Sequence, residues 1–154
     1  MADINKVLNV KFMNGDNIIA EVIMTDSTKL VYYIRNIIQV AMTEDGMMFK
    51  HYFPFSKYDK IFPIRIDNIL LADVLDGEME LMYYTSVLQM KIDEMKSKTN
   101  KKMTGNSKED YHLIFDSVTE IRRLSEEYVE KYGVEPPNLS DVEEQLEKHK
   151  PIFH

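Results

Sequence analysis

The residues of this chain best placed to do chemistry are few, and the most suggestive group is the short polar stretch Ser56-Lys57-Tyr58-Asp59-Lys60. Lys57 and Lys60 carry positive charge and Tyr58 a flat ring, the least that single-stranded nucleic acid needs from a surface: attraction for phosphate and a face on which a base can stack. Alone, such a loop is a poor contact. Repeated around a symmetric ring it becomes multivalent. The other reactive types are dispersed. His51, His112, His149 and His154 offer no metal-ligand spacing except in the last pair, and His51 alternates with Phe49 and Phe53 as a packed or interfacial strand histidine would. Glu109-Asp110 and Glu126-Glu127 read as solvated helix surface, not as opposed carboxyls in a cleft. The glycines form neither a phosphate-cradling loop nor a nucleophile elbow. No catalytic constellation, metal site or cofactor is expected.

The totals narrow the class further. Cysteine is absent, which rules out disulfides and thiolate metal sites. A net charge of −7 argues against a protein whose affinity rests on neutralising many phosphates. That charge is uneven: residues 1–75 hold 8 Lys/Arg against 9 Asp/Glu, and 76–154 hold 11 against 17. No apolar run approaches the roughly 20 residues that cross a bilayer, and the N-terminus lacks a basic-then-apolar signal. The expectation is a cytoplasmic protein that does not enter membranes. With 11 methionines and no tryptophan, thioethers must fill many of the gaps in the core.

The elements that would position the loop lie between Val7 and Val74, which reads as five short strands closing on themselves. Asn14-Gly15 separates two apolar-rich runs and predicts a tight hairpin between strands one and two, after a lead-in at Met1–Lys6 that could form a helical turn. In the second strand Ile18, Ala20, Val22 and Met24 share one face, opposite Ile19, Glu21 and Ile23. Leu30 to Met42 is long for a strand, and Arg35-Asn36 at its centre predicts a bend or bulge. Glu44-Asp45-Gly46 turns the chain into Met47–Phe55, and Phe62–Val74 completes the set.

Pro54 and Pro63 bracket the loop and cannot donate to a ladder, so both belong on a sheet edge. Tyr52, Phe53, Phe55, Phe62, Ile64 and Ile66 are too apolar for an exposed edge, and a second copy of the chain is the simplest cover. The expected interface is therefore with itself.

Several of these pieces resemble the Sm-like fold, in particular the short Sm-like proteins of T4-type tailed phages known from marine sequence. The likeness spans roughly residues 5–95. It rests on Lys11-Phe12-Met13-Asn14-Gly15-Asp16-Asn17-Ile18-Ile19-Ala20-Glu21-Val22, on Tyr33-Ile34-Arg35-Asn36-Ile37-Ile38-Gln39-Val40, on Phe53-Pro54-Phe55 and on Ile66-Asp67-Asn68-Ile69-Leu70. The resemblance implies a strongly bent five-stranded barrel closed into a ring by pairing the fourth strand of one subunit with the fifth of the next. Sm and Hfq rings bind single-stranded RNA. Asp26-Ser27-Thr28-Lys29 stands where that family has Asp-x-x-Asn, and Lys57-Tyr58-Asp59-Lys60 replaces its Arg-Gly element.

Beyond the strands the period changes to that of helices. From Glu78 to Lys96, Met79, Leu81, Met82, Tyr83, Tyr84, Val87, Leu88, Met90 and Met95 give a wide apolar face. Lysine-rich residues up to Asn106 have no apolar period and read as a flexible linker. Ser107-Lys108-Glu109-Asp110 resembles a capping box, and Tyr111, Ile114, Val118, Ile121, Ser125, Tyr128 and Tyr132 alternate by three and four up to Gly133. After Pro136-Pro137, Ser140 and Glu143 predict a second capping box on a short acidic helix, with Ile152-Phe153-His154 as a loose apolar end.

The expected architecture is mainly β with α additions: a barrel over 1–75, a helix over 76–97 packed on it, a linker over 98–106 and a helical extension over 107–154. The expected function is that of a non-catalytic homo-oligomeric ring, phage-encoded and working in the host cytoplasm, that scaffolds a protein partner through its acidic helices. Single-stranded RNA binding through Lys57, Tyr58 and Lys60 is the alternative, and a small ligand held between subunits a third.

Overall fold

The computed structural model describes residues 2–53 and 57–150, and these divide into two compact units, residues 1–83 and 84–154. The first is built on six strands: β1 (Ala2–Phe12), β2 (Asn17–Asp26), β3 (Val31–Thr43), β4 (Gly46–His51), β5 (Phe62–Arg65) and β6 (Ile69–Leu75). Three helices follow, α1 (Gly77–Lys102), α2 (Ser107–Tyr132) and α3 (Ser140–Lys148). Helices hold as much of the chain as strands, so the class is mixed α/β rather than mainly β.

All pairings are antiparallel, in the order β4-β3-β2-β1-β6, and this hydrogen-bonded path is open at both ends. β5 lies off the path, pairing with Val31–Ile34 of β3 while β4 pairs with Ile38–Thr43 of the same strand. The expected count of five thus becomes six. What reads as one strand from Phe62 to Val74 is broken by a 3-10 turn at Ile66–Asn68, whose Ile66 N–H donates to Leu30 O and whose Asn68 O accepts from Met13 N–H. The turn moves the chain from the edge of β3 to the edge of β1, and only then does β6 begin.

Two other expectations change at the start of the chain. Residues 2–6 extend β1 instead of forming a helical turn, because Ala2 and Asp3 find partners in Thr25 and Met24 of β2. The first hairpin does turn at Asn14-Gly15, but only Gly15 has positive φ (94°). Gly15 N–H donates to Phe12 O and Asn14 Oδ1 accepts from Asp16 N–H, the type I turn plus left-handed residue of a slightly longer loop.

The core of this unit is the inward face of β1, β2 and β3. Val10, Ile18, Ala20, Val22, Ile34 and Ile37 are at most 3% exposed, and Leu8, Phe12, Tyr32 and Ile69 pack around them. The expected bend in β3 is present: Ile19 pairs with Ile38 and Glu21 with Arg35, which inserts an extra residue on β3, and Asn36 adopts φ 51°. Asparagine tolerates that left-handed conformation better than most residues.

In the second unit α1 continues to Lys102, through the first part of the segment expected to be a flexible linker, leaving 103–106 as the connection to α2. Lysine is a good helix former without an apolar period, and Thr99, 9% exposed, donates its hydroxyl to Met95 O. The helix cap also shifts by one residue. Asn106, not Ser107, accepts from Lys108 and Glu109 N–H, and Gly133 closes α2 at φ 71°. At α3 the first amide is met by Asn138 Oδ1 rather than by a Ser140 box. The three-four stripe of α2 is buried as expected at Ile114, Val118, Ile121, Ser125 and Tyr128, with Tyr132 stacked on Tyr84 at 3.7 Å between ring centroids.

The α1–α2 turn is held by one carboxylate. Asp110 accepts from Thr104 N–H at 2.8 Å and Gly105 N–H at 3.0 Å, and the Thr104 bond above all holds its pKa below the ordinary 3.8. A depressed carboxylate stabilises the fold above its unfolded pKa and ceases to do so as pH falls through the lower, folded value. The expected result is that the protection factors of the Thr104 and Gly105 amides, taken against their intrinsic exchange rates, fall below about pH 4, and that Asp110→Asn lowers them at neutral pH as well; protection unchanged by the substitution would refute this role.

Candidate functional site

Lys57, Tyr58 and Lys60 lie together between β4 and β5, and the structure shows what holds their loop. Asn36 Nδ2–H donates to Asp59 Oδ1 at 3.1 Å while Asp59 N–H donates to Asn36 Oδ1 at 2.9 Å, a reciprocal clasp between the β3 bulge and the loop. Both residues sit in the left-handed region, Asp59 at φ 65°. The Tyr58 ring meets His51 edge-on at 4.7 Å, and Lys60 Nζ lies 5.2 Å from the centre of the Phe62 ring. Lys57 and Lys60 are exposed and Tyr58 is half-buried. The loop therefore offers two cations to solvent, with part of its aromatic surface already engaged.

Behind the bulge is a polar network that the sequence alone does not single out. Glu21, 3% exposed, accepts from Arg35 Nε at 2.8 Å and Nη2 at 2.6 Å through the same oxygen. The Tyr83 hydroxyl accepts from Glu21 N–H at 3.1 Å and donates to Asn36 O at 2.8 Å. These bonds satisfy backbone groups that the bulge removes from the β2–β3 ladder. Asn36 thus joins the loop clasp on one side to the Tyr83 network on the other.

The expected interface residues divide. Tyr52, Phe62 and Ile64 pack against the core of their own chain, and Tyr52 donates its hydroxyl to Asp16 Oδ2 at 2.8 Å, a bond that holds its pKa above 10.0. Phe53 is 37% exposed and stacks on Phe62 at 4.7 Å; Ile66 is half-buried. Phe55, with Pro54, lies outside the described residues. The more exposed apolar surface is elsewhere, on the two ends of the sheet: Met47 (47%) and Met48 (50%) on β4, and Leu70 (54%), Leu71 (66%) and Val74 (48%) on β6. Among the described residues neither strand has a partner on its outer side. The apolar run Ile69–Ala72 with Val74 is the signal for the second edge, but in sequence it looks the same as a buried strand.

Among the described residues no group of three metal-ligating side chains converges, and no helix is long and apolar enough to cross a membrane. No protein-family model matches the chain, and no curated protein matches it significantly. The geometry of the sheet edges and the loop is what a functional reading has to rest on.

Proposed function

We propose that this chain is a non-catalytic scaffold that assembles with copies of itself through the two ends of its sheet, as a closed ring of bent, Sm-like subunits. One observation carries the reading: β4 and β6 are both open, both apolar and not the same surface. Contact between unlike surfaces on identical subunits is head-to-tail, and it closes into a ring whenever the rotation between neighbours divides the circle. An open apolar edge left in water invites aggregation, and pairing with another copy removes that liability. The bend supports the same reading. The Asn36 bulge bends β3, β5 pairs with its other half, and the 3-10 turn returns the chain to β1, the kind of bending that a curved sheet needs.

Sedimentation of the intact chain tests this. The expected mass is several times the 18.1 kDa of one chain, and Leu71→Lys/Val74→Lys should reduce it to the single subunit while leaving the circular-dichroism spectrum unchanged. A folded wild-type monomer at high concentration would sink the reading.

A second reading, single-stranded RNA binding, is supported by the anchored loop: Lys57 and Lys60 are solvent-facing on a backbone held by the Asn36–Asp59 clasp, and a ring would repeat them around its axis. Retention of an oligouridine should then weaken steeply with salt, and Lys57→Glu/Lys60→Glu should abolish it. Lack of binding at low salt would remove this alternative and leave the scaffold reading intact.

A further inference from the structure

The helical unit carries a feature that the scaffold reading does not use. Gly133 ends α2, Val134 is buried at 2%, and the chain then runs back beside the last turns of α2 as Glu135-Pro136-Pro137-Asn138-Leu139. Two consecutive prolines cannot continue the helix, since neither has an N–H to donate to its ladder. The segment stands off from α2 and leaves a groove of about 320 Å³ with Val129, Pro136, Pro137 and Leu139 as its apolar surface.

Carboxylates outnumber cations around this groove. Glu126 and Glu130 line it from α2 and Glu135 follows in the returning segment; none of the three makes an ion pair among the described residues. The one cation at the groove, Arg122, is committed to Glu143 at 3.0 Å, and the adjacent Arg123 to Glu120 and Glu127. The last turns of α2 also present the negative end of its dipole. An apolar floor within an uncompensated negative rim suits an occupant that brings an apolar side chain flanked by cations.

We propose that this groove is a docking site for a basic peptide segment of a partner protein, a leucine-like side chain seated on Val129, Pro137 and Leu139 with neighbouring Lys or Arg residues reaching Glu126 and Glu130. The floor supplies most of the affinity and the rim selects the sign of the partner. The site lies wholly in the second unit, so it goes beyond the assembly reading and does not depend on it. A chain that proves monomeric can still carry it.

The test is fluorescence anisotropy of the full chain with a labelled peptide of Lys-Leu-Leu-Lys repeats. Glu126→Lys/Glu130→Lys is expected to weaken binding at least about tenfold, a change of about 1.4 kcal/mol. Glu144→Lys/Glu147→Lys, the same charge change on the exposed side of α3, should leave it within about twofold. Leu139→Ser should weaken it without altering its salt dependence. Equal losses from both charge pairs would mean diffuse attraction to an acidic protein and overturn the proposal, as would tight binding of the matching Glu-Leu-Leu-Glu peptide or no binding of the basic one at low salt. Because all the charge variants lie on exposed helix surface, their folding is checked by an unchanged helical spectrum.

Discussion

Replacing Arg35 by alanine is expected to lower the unfolding free energy by about 3 kcal/mol, the largest effect of any single charged residue in the sheet unit. The Glu21 side chain is 4% exposed and its Oε1 takes both the Nε and Nη2 contacts of Arg35. A carboxylate so placed has given up most of its hydration, and the charge-assisted bonds are what it has in exchange. Arg35 is itself 25% exposed, so water can reach its guanidinium and the cost falls at the lower end of the range for breaking a buried pair. Arg35→Lys should cost about half as much, since an ammonium cannot reproduce the two-nitrogen approach. Tyr83→Phe should cost about 2 kcal/mol by a different route, removing the hydroxyl that serves both Glu21 N–H and Asn36 O. Chemical denaturation with an unchanged m-value reads these differences. If Arg35→Ala cost less than about 0.5 kcal/mol, the Glu21 carboxylate would be better solvated than its burial indicates and the network would not be holding the bulge. Arg35 and Tyr83 act on the same three residues of backbone, so the double variant should cost less than the two single costs combined.

The same network shows where sequence reading succeeds and where it stops. That β3 bends at Arg35-Asn36 is legible because thirteen residues are too many for a flat strand and asparagine accepts positive φ. That Glu21 reaches Arg35 is not, since alternation fixes a side chain's face and not its partner on a neighbouring strand. Tyr83 is legible only as one apolar residue among several on α1; its hydroxyl matters because of where the helix begins relative to β2. The α2 stripe is legible almost to the residue, since helical period is a local property and Ile114, Val118 and Ile121 repeat it without interruption. Local reasoning misses the 3-10 turn at Ile66–Asn68. Asp67-Asn68 is a local turn signal, but short enough to be read through, and the turn is fixed by a tertiary bond from Ile66 N–H to Leu30 O. It also misses that α1 persists through Lys96–Lys102, where helix propensity outlasts the apolar period. The loop holding Lys57, Tyr58 and Lys60 is visible as a loop, but its attachment to β3 through the Asn36–Asp59 clasp is not, since the clasp joins residues 23 apart.

In the helical unit, Ile121→Ala is expected to cost about 3 to 4 kcal/mol. Ile121 is fully enclosed (0% exposed) in the middle of the α2 stripe, between Val118 and Leu124 in sequence and one turn before Ser125. Removing its outer carbons loses their transfer free energy and leaves a cavity that surrounding helices can collapse into only in part. Ser125, on the same stripe, should behave differently. Its hydroxyl donates to Ile121 O at 2.7 Å, a carbonyl within the helical ladder, so Ser125→Ala removes a secondary bond and should change stability by no more than about 0.5 kcal/mol. Phe115 is the informative control. It lies on the same helix but is 46% exposed, so in an isolated chain Phe115→Ala should cost less than about 1 kcal/mol despite deleting a larger side chain. A cost approaching that of Ile121→Ala, and rising with protein concentration, would mean that the Phe115 face of α2 is covered in solution by another copy. In that event the helices would take part in self-association, and an assembly resting on the sheet edges alone would have to be given up.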